Sequence, residues 1–154
     1  MRGFYAPPHR ESRAPRHAAL SPIPGVWYDA RMTSYKLVMP GDLNHYGFLF
    51  GGKMLMWVDE VAWMAVSGDY PGYNFVTVGM SEVTFHKSVH PQSVLRFETT
   101  KLRVGHTSVT YHVEVFRRHI ESREETSVFT TDITFVRVDR DGGKMPISSA
   151  IPSP

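Results

Sequence analysis

Lys53-Met54-Leu55-Met56-Trp57-Val58-Asp59-Glu60-Val61-Ala62-Trp63-Met64-Ala65-Val66-Ser67 is the stretch that decides the fold of this 154-residue chain. It holds neither proline nor glycine, is rich in good helix formers, and puts apolar residues on nearly every face of a helix. A helix that is hydrophobic all round is expected to be buried all round. At about 15 residues it falls short of the ~20 that a bilayer requires, so it reads as a core helix. Gly68 and Pro71-Gly72 are expected to end it.

Everything downstream reads as strand. Residues 75–85 and 93–104 are rich in β-branched and aromatic side chains. Residues 107–116 alternate Val109, Tyr111, Val113 and Val115 with Thr110, His112 and Glu114. Residues 126–138 alternate Phe129, Thr131, Ile133 and Phe135 with Thr130, Asp132 and Thr134. A period of two gives a sheet with two different faces, the habit of antiparallel pairing. Upstream, 35–39 is a short strand stopped by Pro40-Gly41, and 41–52 reads as a loop. One strand, one wholly buried helix, then four long strands describes an α+β domain in which a curved antiparallel sheet wraps the helix.

The sequence pI near 9.0 invites a nucleic-acid or membrane reading. However, residues 1–34 carry five arginines against two acidic residues, while the other 120 hold 12 basic and 13 acidic side chains. The body is not basic, so neither nucleic acid nor membrane is an expected partner. Five prolines in the first 25 residues, with no hydrophobic periodicity, make 1–33 an expected flexible extension without the apolar run of a secretory signal. The domain is placed at 34–140 and a loop-like tail at 141–154. The chain has no cysteine, which excludes disulfides, a thiol nucleophile and cysteine-ligated metals.

Asp59 is the chemical anomaly of the helix, since its helical neighbours Leu55, Met56, Ala62 and Trp63 are apolar. A carboxylate in such surroundings costs several kcal/mol unless it finds partners, and perturbed acids cluster at functional sites. Glu60 beside it is the competing candidate, one of the two being expected to face solvent or a subunit contact. Gly51-Gly52 at the helix start would let a substrate carbonyl approach unsatisfied backbone N–H groups, the physical content of an oxyanion hole. An ordinary tight turn reads equally well there. Asn44 in the preceding loop could orient a water or polarise a carbonyl, or simply serve the loop. Eight histidines raise the question of metal, but His86 and His90 do not share a helical face and no H-E-x-x-H pattern occurs, so no metal site is expected.

Taken together, Met39-Pro40-Gly41-Asp42-Leu43-Asn44, Gly47, Phe50-Gly51-Gly52 through Asp59, and Ala62 resemble the hotdog-fold acyl-CoA thioesterases, in particular the bacterial YciA-type and mammalian brain-type cytosolic acyl-CoA hydrolases. Thr77-Val78-Gly79-Met80, Val83, Phe85, Lys87 and Val89, then Val104-Gly105-His106-Thr107-Ser108, extend the likeness over about 105 residues. The resemblance implies a hotdog fold and hydrolysis of acyl-CoA to a free acid and CoA. It implies Asp59 as catalytic base or nucleophile, Asn44 positioning the water or the carbonyl, and the amides near Gly51 and Gly52 holding the oxyanion. It also implies that Lys87, Arg103, Gly105, His106, Thr107 and Ser108 contact CoA, with Val104 standing where relatives often carry a basic residue. Asn44 and Asp59 of one site would come from different subunits of a homodimer, or of a tetramer or hexamer of dimers, in the cytoplasm. No cofactor is implied, CoA being part of substrate and product. Acyl preference would depend on Trp57, Trp63 and Met64. Two competing readings are a hotdog dehydratase using His45 and a non-catalytic acyl-CoA-binding module.

Overall fold

The computed structural model describes residues 31–119, 122 and 124–147. Residues 1–30 of the expected extension and 148–154 of the expected tail lie outside the described residues. Five strands and one long helix follow in chain order: β1 (Met32–Leu37), α1 (Gly51–Asp69), β2 (Asn74–Phe85), β3 (Val94–Val104), β4 (Ser108–Arg118) and β5 (Glu125–Val138). A single turn of 3-10 helix, Pro40–Asp42, follows β1. The strands form one antiparallel sheet in the order β1-β3-β4-β5-β2, so β1 and β2 are its edges.

The alternation read from the sequence sets the inner face of this sheet. Leu95, Phe97, Val109, Tyr111, Val113, Val115, Phe129, Ile133 and Phe135 are all fully buried. Facing them, α1 buries Met54, Trp57, Val58, Val61, Ala62, Ala65 and Val66, a stripe at three- and four-residue spacing. At roughly 1.5–3 kcal/mol for each large apolar side chain taken from water, this helix-on-sheet core is the main stabilising term of the domain.

Several expectations are corrected. The helix is not buried all round: Met56, Trp63 and Met64 are 43%, 49% and 43% exposed. One sheet covers one side of a helix, and among the described residues nothing covers the opposite face of α1. Gly68 does not end α1, which runs on through Asp69 to a cap at Tyr70. A single glycine costs a helix only about 1 kcal/mol, less than the tertiary contacts around it supply. β1 starts at Met32 rather than 35, because Met32, Thr33 and Ser34 pair with Thr99, Glu98 and Phe97 of β3. Residues 141–147 turn back on the sheet, with Met145 N–H donating to Arg137 O and Ile147 N–H to His106 O.

The C-terminal end of α1 is tied down by a polar clasp. The buried Tyr111 hydroxyl donates to Asp69 Oδ2 at 2.5 Å, and Lys101 Nζ lies 2.9 Å from the same oxygen. A carboxylate there opposes the helix dipole, and the lysine offsets it. Burial, and then the bond to Asp69, push the Tyr111 phenol well above its ordinary range.

Candidate active site

The loop before α1 is closed by its own side chains. Asn44 Oδ1 accepts from the N–H groups of Tyr46 (2.9 Å) and Phe48 (3.2 Å), and Asn44 N–H donates to Phe48 O at 2.7 Å. Gly47 turns the chain at φ +81°, a conformation that suits glycine. With its oxygen spent on the loop, Asn44 keeps its amide N–H pair as donors. The first bonds of α1 run from the N–H groups of Lys53 and Met54 to Phe50 O, so those of Gly51 and Gly52 precede the helical ladder. A β-carbon on Gly52 would stand 2.6 Å from the Phe50 ring, so the chain packs closely there. Asn44, Gly51 and Lys87 share the lining of a cavity of about 460 Å³, together with Phe48, Met54 and Phe85.

Asp59 lies eight residues further along α1, about 12 Å at the helical rise, and does not line this cavity. The two adjacent carboxylates are sorted by their partners. Glu60 pairs with Lys36 of β1 at 3.3 Å in an exposed contact. Asp59 Oδ1 accepts a 2.6 Å hydrogen bond from Thr77 Oγ1 of β2. That bond occupies one carboxylate oxygen, and among the described residues no bond reaches the other. The sequence named Thr77 only within a block of family likeness and gave it no role, because a threonine in a strand carries no signal of the helix residue it will meet.

The residues assigned to CoA separate into two groups. Lys87 stands at the cavity, beyond the end of β2. Arg103, Gly105, His106, Thr107 and Ser108 form the β3–β4 hairpin, where Gly105 N–H donates to Ser108 O at 2.7 Å. Along β5, Phe129 pairs with Phe85 near Lys87, whereas Val136 pairs with Ser108. Seven strand residues separate those levels, about 23 Å, so one protomer does not bring the two groups together. His45 is exposed and lies against Tyr46, ring centroids 3.9 Å apart and planes tilted by 42°. His86 reaches Thr130 while His90 packs on Phe48, and among the described residues no cluster of three or more His, Asp or Glu could hold a metal. Trp57 is buried in the core, while Trp63 and Met64 lie on the open face of α1.

A long helix packed against a five-stranded antiparallel sheet is the hotdog architecture. Residues 46–124 match the family model of the thioesterase superfamily. The uncharacterized acyl-CoA thioester hydrolase YkhA of Bacillus subtilis is 27% identical over 124 residues, 80% of this chain and 72% of that protein. An acyl-CoA hydrolase structure from Bacillus cereus matches with a TM-score of 0.72 at 30% identity, covering 80% of this chain and 75% of its own. A hexameric hotdog-fold thioesterase of Campylobacter jejuni matches with a TM-score of 0.68 at 31% identity, over 75% and 88%. The chain therefore belongs to the thioesterase superfamily, among its hotdog-fold acyl-CoA hydrolases.

Proposed function

We propose that the protein hydrolyses acyl-CoA thioesters to a free carboxylic acid and CoA, at composite sites built from two protomers. The observation that carries this reading is that Asn44 and Gly51, the first residue of α1, line one cavity, where a side-chain amide and a helix N-terminal N–H supply the donors that a thioester oxyanion needs. The geometry of β2 supports the two-protomer site. It is an edge strand with Val76, Val78, Val83 and Phe85 exposed, beside the exposed Met56, Trp63 and Met64 of α1. An uncovered apolar edge is a template for pairing with another copy. Antiparallel pairing of two β2 edges about a two-fold axis near the middle of the strand would set the Thr77 end of one beside the Phe85 end of its partner. Asp59, held by Thr77, would then face the partner's cavity, the one lined by Asn44 and Gly51. The same axis would bring the partner's 103–108 hairpin level with Lys87, uniting the two groups assigned to CoA.

In this site Asp59 uses its free oxygen to take a proton from water. The hydroxide attacks the thioester carbon, and the amides hold the oxyanion. Collapse then expels the CoA thiolate, which recovers the proton from Asp59. Hexameric relatives such as the Campylobacter jejuni protein support an assembly of dimers, and a cytoplasmic enzyme is part of the same reading. Among the described residues no helix is long and apolar enough to cross a membrane. The test is thiol release from a panel of acyl-CoA chain lengths, for the wild type and Asp59→Asn. Turnover lost in the variant is the expected result; no turnover at any chain length, or undiminished turnover in the variant, overturns the reading. A single turnover in heavy-oxygen water separates base from nucleophile, since direct attack by Asp59 would leave label in its carboxylate.

A further inference from the structure

The inward series of β4, Tyr111, Val113 and Val115, continues to a residue of the opposite character, Arg117. Arg117 pairs across the sheet with the fully buried Leu95, and its Nε is buried with no hydrogen-bond partner. Its Nη2 lies 3.5 Å from His119 Nε2, and among the described residues no carboxylate pairs with it. A half-buried guanidinium without a carboxylate partner is costly, and an anion in the cavity it lines would supply the missing charge. Arg117, Arg118 and His119 line a second cavity of about 440 Å³ with Pro91, Gln92 and Ser93, and none of its described lining residues is acidic. Arg118 approaches Glu125 only at 4.0 Å, and that carboxylate is already held by Arg96 at 2.6 Å.

Position adds a second argument. Lys87, Ser88 and Val89 line the candidate active-site cavity, while Pro91, Gln92 and Ser93 line this one. The two cavities therefore flank a single short connection at the same end of the sheet. Two arginines with Ser and Gln hydroxyl and amide groups suit a phosphate monoester, whose oxygens take the forked guanidinium donors.

We infer that the Arg117–Arg118–His119 cavity is a binding site for a phosphate monoester. The phosphate is either the 3′-phosphate of the CoA substrate, which rests on the hydrolase reading above, or that of a separate nucleotide. The probe is adenosine 3′,5′-bisphosphate, titrated calorimetrically into the full-length wild type and Arg117→Gln. Binding that weakens about tenfold in the variant is expected for the loss of one charged hydrogen-bonding group. Absence of binding up to millimolar concentration, or equal binding by both proteins, overturns the site. Should Arg117→Gln fail to fold, judged by its thermal melt, Arg118→Gln and His119→Asn provide the same reading with smaller losses.

Kinetics then separates the two sources. If the substrate supplies the phosphate, the wild type shows a lower KM for acyl-CoA than for acyl-3′-dephospho-CoA, and Arg117→Gln removes the difference at unchanged kcat. If a separate nucleotide supplies it, the two KM values agree and the bisphosphate alters turnover only when Arg117 is present. A KM that rises equally for both substrates in the variant, with no effect of the bisphosphate, marks Arg117 as structural and overturns the site. Failure of the wild type to hydrolyse either substrate would remove the hydrolase reading, while the calorimetry still judges the cavity.

Discussion

At the scale of single residues, Asn44 and Asp59 are each held by one oxygen and left free to act through the other end. Asn44→Asp keeps an oxygen for the Tyr46 and Phe48 N–H groups but deletes the amide donors. We expect kcat to fall by about 10²–10³, the usual cost of an oxyanion donor, with an unchanged melting temperature. Alanine at the same position would disturb the loop as well, so its melting temperature should drop. For Asp59→Asn, loss of the proton acceptor should reduce kcat by about 10²–10⁴ while leaving acyl-CoA binding nearly intact, measured by steady-state kinetics and calorimetry. The anomalous aspartate was legible in the sequence because it interrupts a run of apolar residues. Its choice over Glu60 was not, because that depends on Thr77 and Lys36, contributed by strands on opposite edges of the sheet.

Among the elements, β3 and β5 are joined over the top of β4. Arg96 of β3 makes a forked contact with Glu125 of β5, at 2.6–3.0 Å, with its guanidinium over the Phe116 ring of β4. The hydrogen bonds from Arg96 hold the Glu125 carboxyl below its ordinary range, and Glu125 in turn raises Arg96. A depressed folded pKa contributes stability that is complete above the unfolded value and is lost as pH falls through the folded one. Denaturant melts taken across the acidic range should therefore show the wild type losing stability below the normal carboxylate range. Glu125→Gln should be less stable at neutral pH and should have a flatter acid limb. The strands themselves were legible, since β4 and β5 alternate over ten residues or more. The start of β1 was not: Met32-Thr33-Ser34 has no such pattern and becomes strand only through pairing with a segment more than 60 residues away. The partner order of the strands is likewise a product of long-range packing, which local periodicity does not encode.

For the whole molecule, the proposed dimer would close the open face of α1 and the bare edge of β2. A lysine at Val78, which is 56% exposed on that edge, should convert the assembly to monomers and abolish turnover together, measured by light scattering and thiol release. Complementation tests the composite site directly. Asn44→Asp and Asp59→Asn, each inactive alone, should regain about one quarter of wild-type activity after equal mixing and reassembly, since half of the dimers are mixed and each has one intact site. Sites contained within one protomer would give no recovery. The sequence could suggest such a partner only through likeness to a family, because the reason for it, one sheet covering one side of an apolar helix, exists only after folding. The clasp of Asp69 by Tyr111 and Lys101 has a consequence for motion. It fastens α1 at the end remote from Gly51 through side chains of two strands. Amide hydrogens in the last turn should exchange only through global unfolding, whereas those of the first turn should exchange through local opening. Tyr111→Phe should erase that gradient, leaving the Gly51 end of the helix as mobile as before and the far end newly so.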